Sequence, residues 1–133
     1  MRRAIRIALR LSPSQRVAFA RHAGAARFAW NWGLARKQEE RAAGRANPSA
    51  MDLHREINRL KGRPKEDGGI PWAYEVSKCA FQESLRDLDA AFRRFFDGCK
   101  PGARRVGYPR FKSRDRATPH FRLTGTVRVA DGR

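Results

Sequence analysis

Two pairs of carboxylates stand one helical turn apart, Asp52 with Glu56 and Glu83 with Asp87. On a helix that spacing puts both groups on one face, where they could help hold a divalent cation if another segment supplied a third oxygen ligand. Acidic residues on an arginine-rich helix face are more ordinarily solvated ion pairs, each contributing about 0.2–0.5 kcal/mol. Cys79 and Cys99 are isolated, without a Cys-x-x-Cys or a histidine at ligand spacing, and His22, His54 and His120 are scattered. Neither a zinc site nor a disulfide framework is indicated. There is no glycine-rich phosphate loop and no serine-centred elbow. The residues therefore point to a binder: no catalytic residue, metal, cofactor or small-molecule substrate is assigned.

The strongest chemical signal is cationic. Arg104, Arg105, Arg110, Lys112, Arg114 and Arg116 are interleaved with Tyr108, Phe111 and Phe121. Cations contact phosphate oxygens, and rings can stack on unpaired bases; the same three rings would also suit the core of short strands. The whole chain leans the same way, with 30 Lys and Arg against 13 Asp and Glu in 133 residues, a formal charge of +17. Residues 1–46 carry a net +9, residues 47–97 are neutral, and residues 98–133 carry +8. A neutral scaffold between two basic ends suits a polyanionic partner. Arg6, Arg10, Arg27, Arg36 and Lys37 are the candidates from the first basic region, and the two regions are expected to meet in one trough. No run of about 18 apolar residues occurs, and Met1-Arg2-Arg3 leads into an alternating segment. Spanning helices and a secretory signal are thus excluded, and the expected compartment is the cytoplasm, with no membrane partner.

These groups need elements to position them. Ile5, Ile7, Leu9 and Leu11 alternate with polar or small residues, which predicts a strand. Ser12-Pro13-Ser14-Gln15 reads as a helix start with a capping box. Phe19, Ala23, Ala26, Trp30 and Leu34 then form a stripe at helical spacing, and Gly24 is a point at which this helix can divide in two. Leu53, Ile57 and Leu60 mark a short helix ended by Gly62. Trp72 to Asp97 is the longest periodic segment, with Val76, Ala80, Leu85, Leu88, Phe92, Phe95 and Phe96 on its apolar face and Gly98 at its end. Glu75/Lys78, Asp89/Arg93 and Arg94/Asp97 have the spacing to pair along its polar side. Residues 121–124 and 127–129 read as short alternating strands, and the expected sheet is small, open and unfinished.

Five segments occur in an order that resembles the N-terminal part of the TnpB family, the OrfB-type transposon-encoded proteins. They are the strand with Ser-Pro-x-Gln, Gly24 to Trp32, Pro71-Trp72 with Val76-Ser77, Leu85 to Phe92, and Gly107-Tyr108-Pro109-Arg110-Phe111-Lys112. Members of that family are RNA-guided DNA endonucleases whose N-terminal part is a wedge β-barrel interrupted by a helical recognition lobe. The resemblance implies a first wedge strand at 1–12, a recognition-lobe-like helical insertion at 13–98, and a basic linker with incomplete wedge strands at 99–133. It also implies guide-type structured RNA and DNA as partners, held through the wedge and lobe. The family's RuvC-like nuclease, with its three carboxylates and zinc module, has no counterpart here, so cleavage is not carried over.

The resulting expectation is an α+β protein, a mainly helical lobe inserted into a small, incomplete antiparallel β-barrel, and a truncated transposase product that binds nucleic acid through backbone phosphates. Three alternatives stand beside it. One is a helix-turn-helix DNA-binding protein presenting Arg27, Asn31, Arg36 and Lys37 to the major groove; another is an inactive remnant. The third is an RNA-guided nuclease subunit whose missing carboxylates are supplied in trans by another polypeptide.

Overall fold

The structure, a computed structural model, describes residues 2–125; the strand expected at 127–129 lies outside them. Three helices organise the described chain: α1 (Pro13–Ala42), α2 (Ala50–Leu60) and α3 (Lys78–Gly98). The start of α1 follows from its sequence. The Ser12 hydroxyl accepts from the Gln15 backbone N–H at 3.3 Å, and the Gln15 side chain accepts from the Ser12 N–H at 2.9 Å. Two of the helix's otherwise orphaned donors are satisfied reciprocally in this way. Ser49 and Asp52 repeat the device at α2, which assigns Asp52 to capping. Tight turns at Lys65–Asp67 and Ala73–Glu75 lead to Ser77, whose hydroxyl accepts from Cys79 N–H to cap α3. The periodic pattern from Trp72 thus begins in a turn, and α3 proper starts at Lys78.

Helix α1 runs through Gly24 without a break. A glycine inside a helix costs about 1 kcal/mol relative to alanine but does not stop it when the flanking turns are packed, and Ala23, Ala25 and Ala26 are all buried. Gly98 ends α3 as expected, without adopting the left-handed conformation found at Gly44 and Gly62. It is the last residue of α3, and a Cβ there would lie 2.9 Å from the Arg104 carbonyl oxygen and 3.0 Å from the Val106 nitrogen. The missing side chain lets the following segment cross the end of the helix.

The α+β expectation is overturned. Among the described residues the architecture is helical and no strand forms; ladder pairing is limited to an isolated parallel bridge between Lys61 and Ile70. Ile5, Ile7 and Leu9 alternate as a strand would, but stand 81%, 72% and 66% exposed. Alternation prepares a face, whereas a strand exists only by hydrogen bonding to a neighbour, and no backbone hydrogen bond joins residues 2–11 to another described segment. Residues 121–124 are committed elsewhere. Phe121 packs edge-on to Phe19, Arg122 reaches Glu83 and Asp87, and the Thr124 hydroxyl faces Glu83 at 3.4 Å.

The core lies between α1 and α3, with α2 packed on α3. Ala25 and Ala29 of α1 meet Phe81 and Leu85 of α3 and Leu53 and Ile57 of α2, while Trp30, Leu34, Leu88 and Phe92 form a second cluster further along. The expected apolar face of α3 is thus inside as far as Phe92, but Phe96 is 50% exposed. At Gly33 α1 comes close against α3. A Cβ there would stand 2.8 Å from Leu85 Cδ2 and 3.0 Å from Leu88 Cδ2. Gly33→Leu is expected to destabilise the fold by about 1–3 kcal/mol through overpacking, read as a lower urea midpoint with an unchanged denaturant slope.

A second expectation concerns His54 of α2. Its Nε2 is buried without a hydrogen-bond partner, and burial, with Lys61, Lys78 and Arg86 nearby, holds the imidazole below its ordinary range. The unfolded chain then binds a proton that the folded chain resists, so stability falls as pH drops through the ordinary imidazole range near 6.5. His54→Gln should flatten that part of the stability-against-pH curve, followed by urea unfolding from pH 7.5 to 5.

Candidate nucleic-acid interface

Beyond Gly98 the chain turns back and lies along the helices as a return segment. Tyr108 enters first, edge-on to Phe92 and Phe95 with centroids 5.4 and 5.2 Å away, and Pro109 is buried beneath it. The segment is then clamped to α1. Trp30 Nε1 donates to the Arg110 carbonyl at 2.8 Å. The Asn31 side-chain amide donates to the Lys112 carbonyl at 2.8 Å and accepts from the Lys112 N–H at 2.7 Å. Asn31 thereby supplies the donor and acceptor that a neighbouring strand would have offered. The Lys112 ammonium sits 4.0 Å from the Trp30 ring centroid, a cation–π contact, and burial holds it below the usual lysine range.

This clamp gathers cations. Arg110, Lys112 and Arg116 line a groove of about 680 Å³ together with Trp30, Phe111 and a single carboxylate, Asp115. Arg21, Arg27 and Arg114 line a second groove of about 480 Å³ on the adjoining face of α1. Arg27 and Lys112 both border the small cavity between helices and return segment, so the two grooves adjoin. Among the described residues, none of Arg21, Arg27, Arg110, Arg114 and Arg116 is paired with a carboxylate.

Other candidate residues are placed differently. Arg36 is held by Glu39, Glu56 and Glu40 at 2.7, 2.9 and 3.2 Å, contacts that push its pKa upward, that to Glu39 foremost. Lys37 is only 3% exposed. Its ammonium meets Asp89 at 2.8 Å, the Pro48 carbonyl at 2.6 Å and the Asn47 side-chain oxygen at 3.2 Å, so its three hydrogens are used internally. With Asn31 spent on Lys112 as well, a major-groove face made of Arg27, Asn31, Arg36 and Lys37 keeps only Arg27 uncommitted. Arg104 and Arg105 are exposed beside the end of α3. Arg6 and Arg10 lie on the exposed segment before α1, which no described hydrogen bond or ion pair ties to the helical body. The first basic region therefore meets the second through Arg21 and Arg27. Tyr108 and Phe121 are packed against other rings, whereas Phe111 is 55% exposed.

The acidic pairs are ion-pair partners. Glu56 takes Arg36, and Glu83 and Asp87 share Arg122. Lys37 takes the Asp89 expected for Arg93, and Lys100 takes the Asp97 expected for Arg94. Among the described residues no cluster of three His, Cys, Asp or Glu side chains is placed to hold a metal ion, and no described helix is long and apolar enough to cross a membrane. Sequence reasoning missed Arg21 and the clamping role of Asn31. The signal for the latter was available: a lone amide between Trp30 and Trp32 on an otherwise apolar stripe.

Comparison with known proteins is consistent with this surface. Residues 1–46 match the helix-turn-helix domain family of OrfB/IS605 type; here residues 13–42 of that region are one continuous helix. The chain is 30% identical over 98% of its length to proteins of two Mycobacterium tuberculosis strains that are provisionally named RNA-guided DNA endonucleases. It is likewise 30% identical over 84% of its length to InsQ of Escherichia coli K12, which carries the same provisional name. The chain spans 31% of the mycobacterial proteins and 25% of InsQ.

Because Lys37 is structural, Lys37→Met is expected to lower stability by about 3 kcal/mol, the cost of leaving Asp89 without its cation. Chemical denaturation would read this as a lower midpoint.

Proposed function

We propose, from the premise that this chain belongs to the OrfB/TnpB-type family of transposon-encoded proteins, that it is a nucleic-acid-binding part of such a protein. It binds guide-type structured RNA and DNA through their backbone phosphates. Cleavage is left to nuclease machinery that this stretch does not itself provide. The observation that carries the reading is the set of arginines beside the clamp, Arg27, Arg110, Arg114 and Arg116, which lack carboxylate partners among the described residues while Arg36, Lys37 and Arg122 are neutralised internally. Leaving cations side by side costs repulsion, and a polyphosphate relieves it by exchanging its own counterions for protein cations. The relatives' provisional names supply the class of polyanion, RNA together with DNA.

The test is binding against salt. With roughly six to ten phosphates engaged, affinity for an RNA hairpin or a DNA duplex should fall by about three to five decades between 50 and 200 mM salt. The triple variant Arg110→Gln/Arg114→Gln/Arg116→Gln should lower the slope of log K against log salt by about three. A flat salt dependence in the parent chain overturns the proposal. Mg²⁺-dependent cutting of duplex DNA by the chain alone would overturn the assignment of cleavage to other machinery.

A further inference from the structure

Three aromatic rings lie in or near the basic return segment, and the structure separates them. Tyr108 is enclosed by Phe92 and Phe95, and Phe121 by Phe19 and His22. Phe111 stacks on no ring among the described residues and is 55% exposed. The backbone on either side of it is held inward, by Trp30 at the Arg110 carbonyl and by Asn31 at both backbone groups of Lys112. With its two neighbours tethered to α1, Phe111 stands on a fixed base at the rim of the groove that Arg110, Lys112 and Arg116 line. An exposed phenyl ring gains nothing from water, and a tethered one loses little conformational entropy when a flat partner settles on it.

We propose that Phe111 is a stacking platform for one unpaired nucleotide of a single-stranded nucleic acid, whose flanking phosphates lie against Arg110 and Arg116. The inference rests on the nucleic-acid-binding reading above and narrows it: this corner of the surface takes single strand, since a base within a duplex is already stacked on both faces and cannot receive the ring. The lining suits the ligand, because the same groove, in which Asp115 is the one carboxylate among the described lining residues, offers a π-face beside three cations, the pairing used for sequence-tolerant binding of single strands. Trp30 and Asn31 act as positioning residues, since their hydrogen bonds hold the backbone on either side of the platform.

The experiment uses the full chain with fluorescein-labelled oligo-uridine, oligo-thymidine and a blunt DNA duplex, titrated by anisotropy at several salt concentrations. Phe111→Leu keeps an apolar side chain of similar size but removes the π-face. It is expected to weaken single-strand binding about tenfold or more, with the salt slope and duplex affinity unchanged, and Phe111→Trp should restore or exceed the parent affinity. Loss on oligo-uridine alone assigns the platform to RNA, and loss on both oligonucleotides assigns it to single strands of either sugar. Equal weakening on duplex and single strands, or no weakening on either, overturns the platform. In that case the parent chain still binds with a steep salt slope, whereas a parent chain that binds no polyanion overturns the underlying reading instead.

Discussion

The ammonium of Lys37 ties three parts of the molecule together at one point. Seated on α1 and buried, it binds Asp89 of α3 and two groups of the loop between α1 and α2. Asp89 in turn accepts from the Ala50 N–H at 2.8 Å, in the first turn of α2. One charge pair therefore ties the α1–α2 loop and the starting point of α2 to α3, beside the apolar packing that registers α1 on α3. Burial of such a pair is tolerable only when every hydrogen-bonding site around it is used, and here the cation also lies 5.2 Å from the centroid of the Phe92 ring. With α1 and α3 so registered, Gly33 falls opposite Leu85 and Leu88, where there is no room for a side chain.

A consequence follows for the surface. Four acidic residues of the neutral middle, Glu56, Asp89, Glu83 and Asp87, are drawn into internal pairs with Arg36, Lys37, Arg86 and Arg122. On the side of α1 along which the return segment lies, Arg21, Arg27, Arg110, Arg114 and Arg116 keep no carboxylate partner among the described residues. A surplus of charge repels a compact state, and a polyanion lying along these grooves would screen part of it there. The clamp formed by Trp30 and Asn31 gives that side its shape.

The sequence was most legible where local chemistry decides the outcome. The capping box at Ser12, the short helix through Leu53, Ile57 and Leu60, and the apolar face of α3 up to Phe92 depend on residues close in the chain, and all are found. It misled where a partner from elsewhere decides. The alternation of Ile5, Ile7 and Leu9 describes a strand with no neighbour among the described residues, and Lys37 reads as a solvent-facing cation until Asp89, 52 positions on, is brought to it. The same holds for the interface. Composition marked the 104–116 run as cationic, but only the fold shows that Arg27 joins it, that Arg36 does not, and that of three rings only Phe111 faces outward. The family resemblance agrees with the comparisons, while the barrel it implied is not formed by the described residues.

Helix α1 is 30 residues long, about 45 Å at 1.5 Å per residue, and its packing is uneven. From Pro13 to Ala18 every residue is exposed, whereas Ala23 to Lys37 contains all of its buried side chains. The first turns thus rest on their own backbone bonds and the Ser12 cap, in a length too short to persist alone in water. The rod carries a gradient of local unfolding free energy along its axis, small at the end nearest the N-terminus and close to the global value where Leu34 and Lys37 lie. Fraying of that outer end can proceed while the clamped portion, and the return segment bound to it, stay folded.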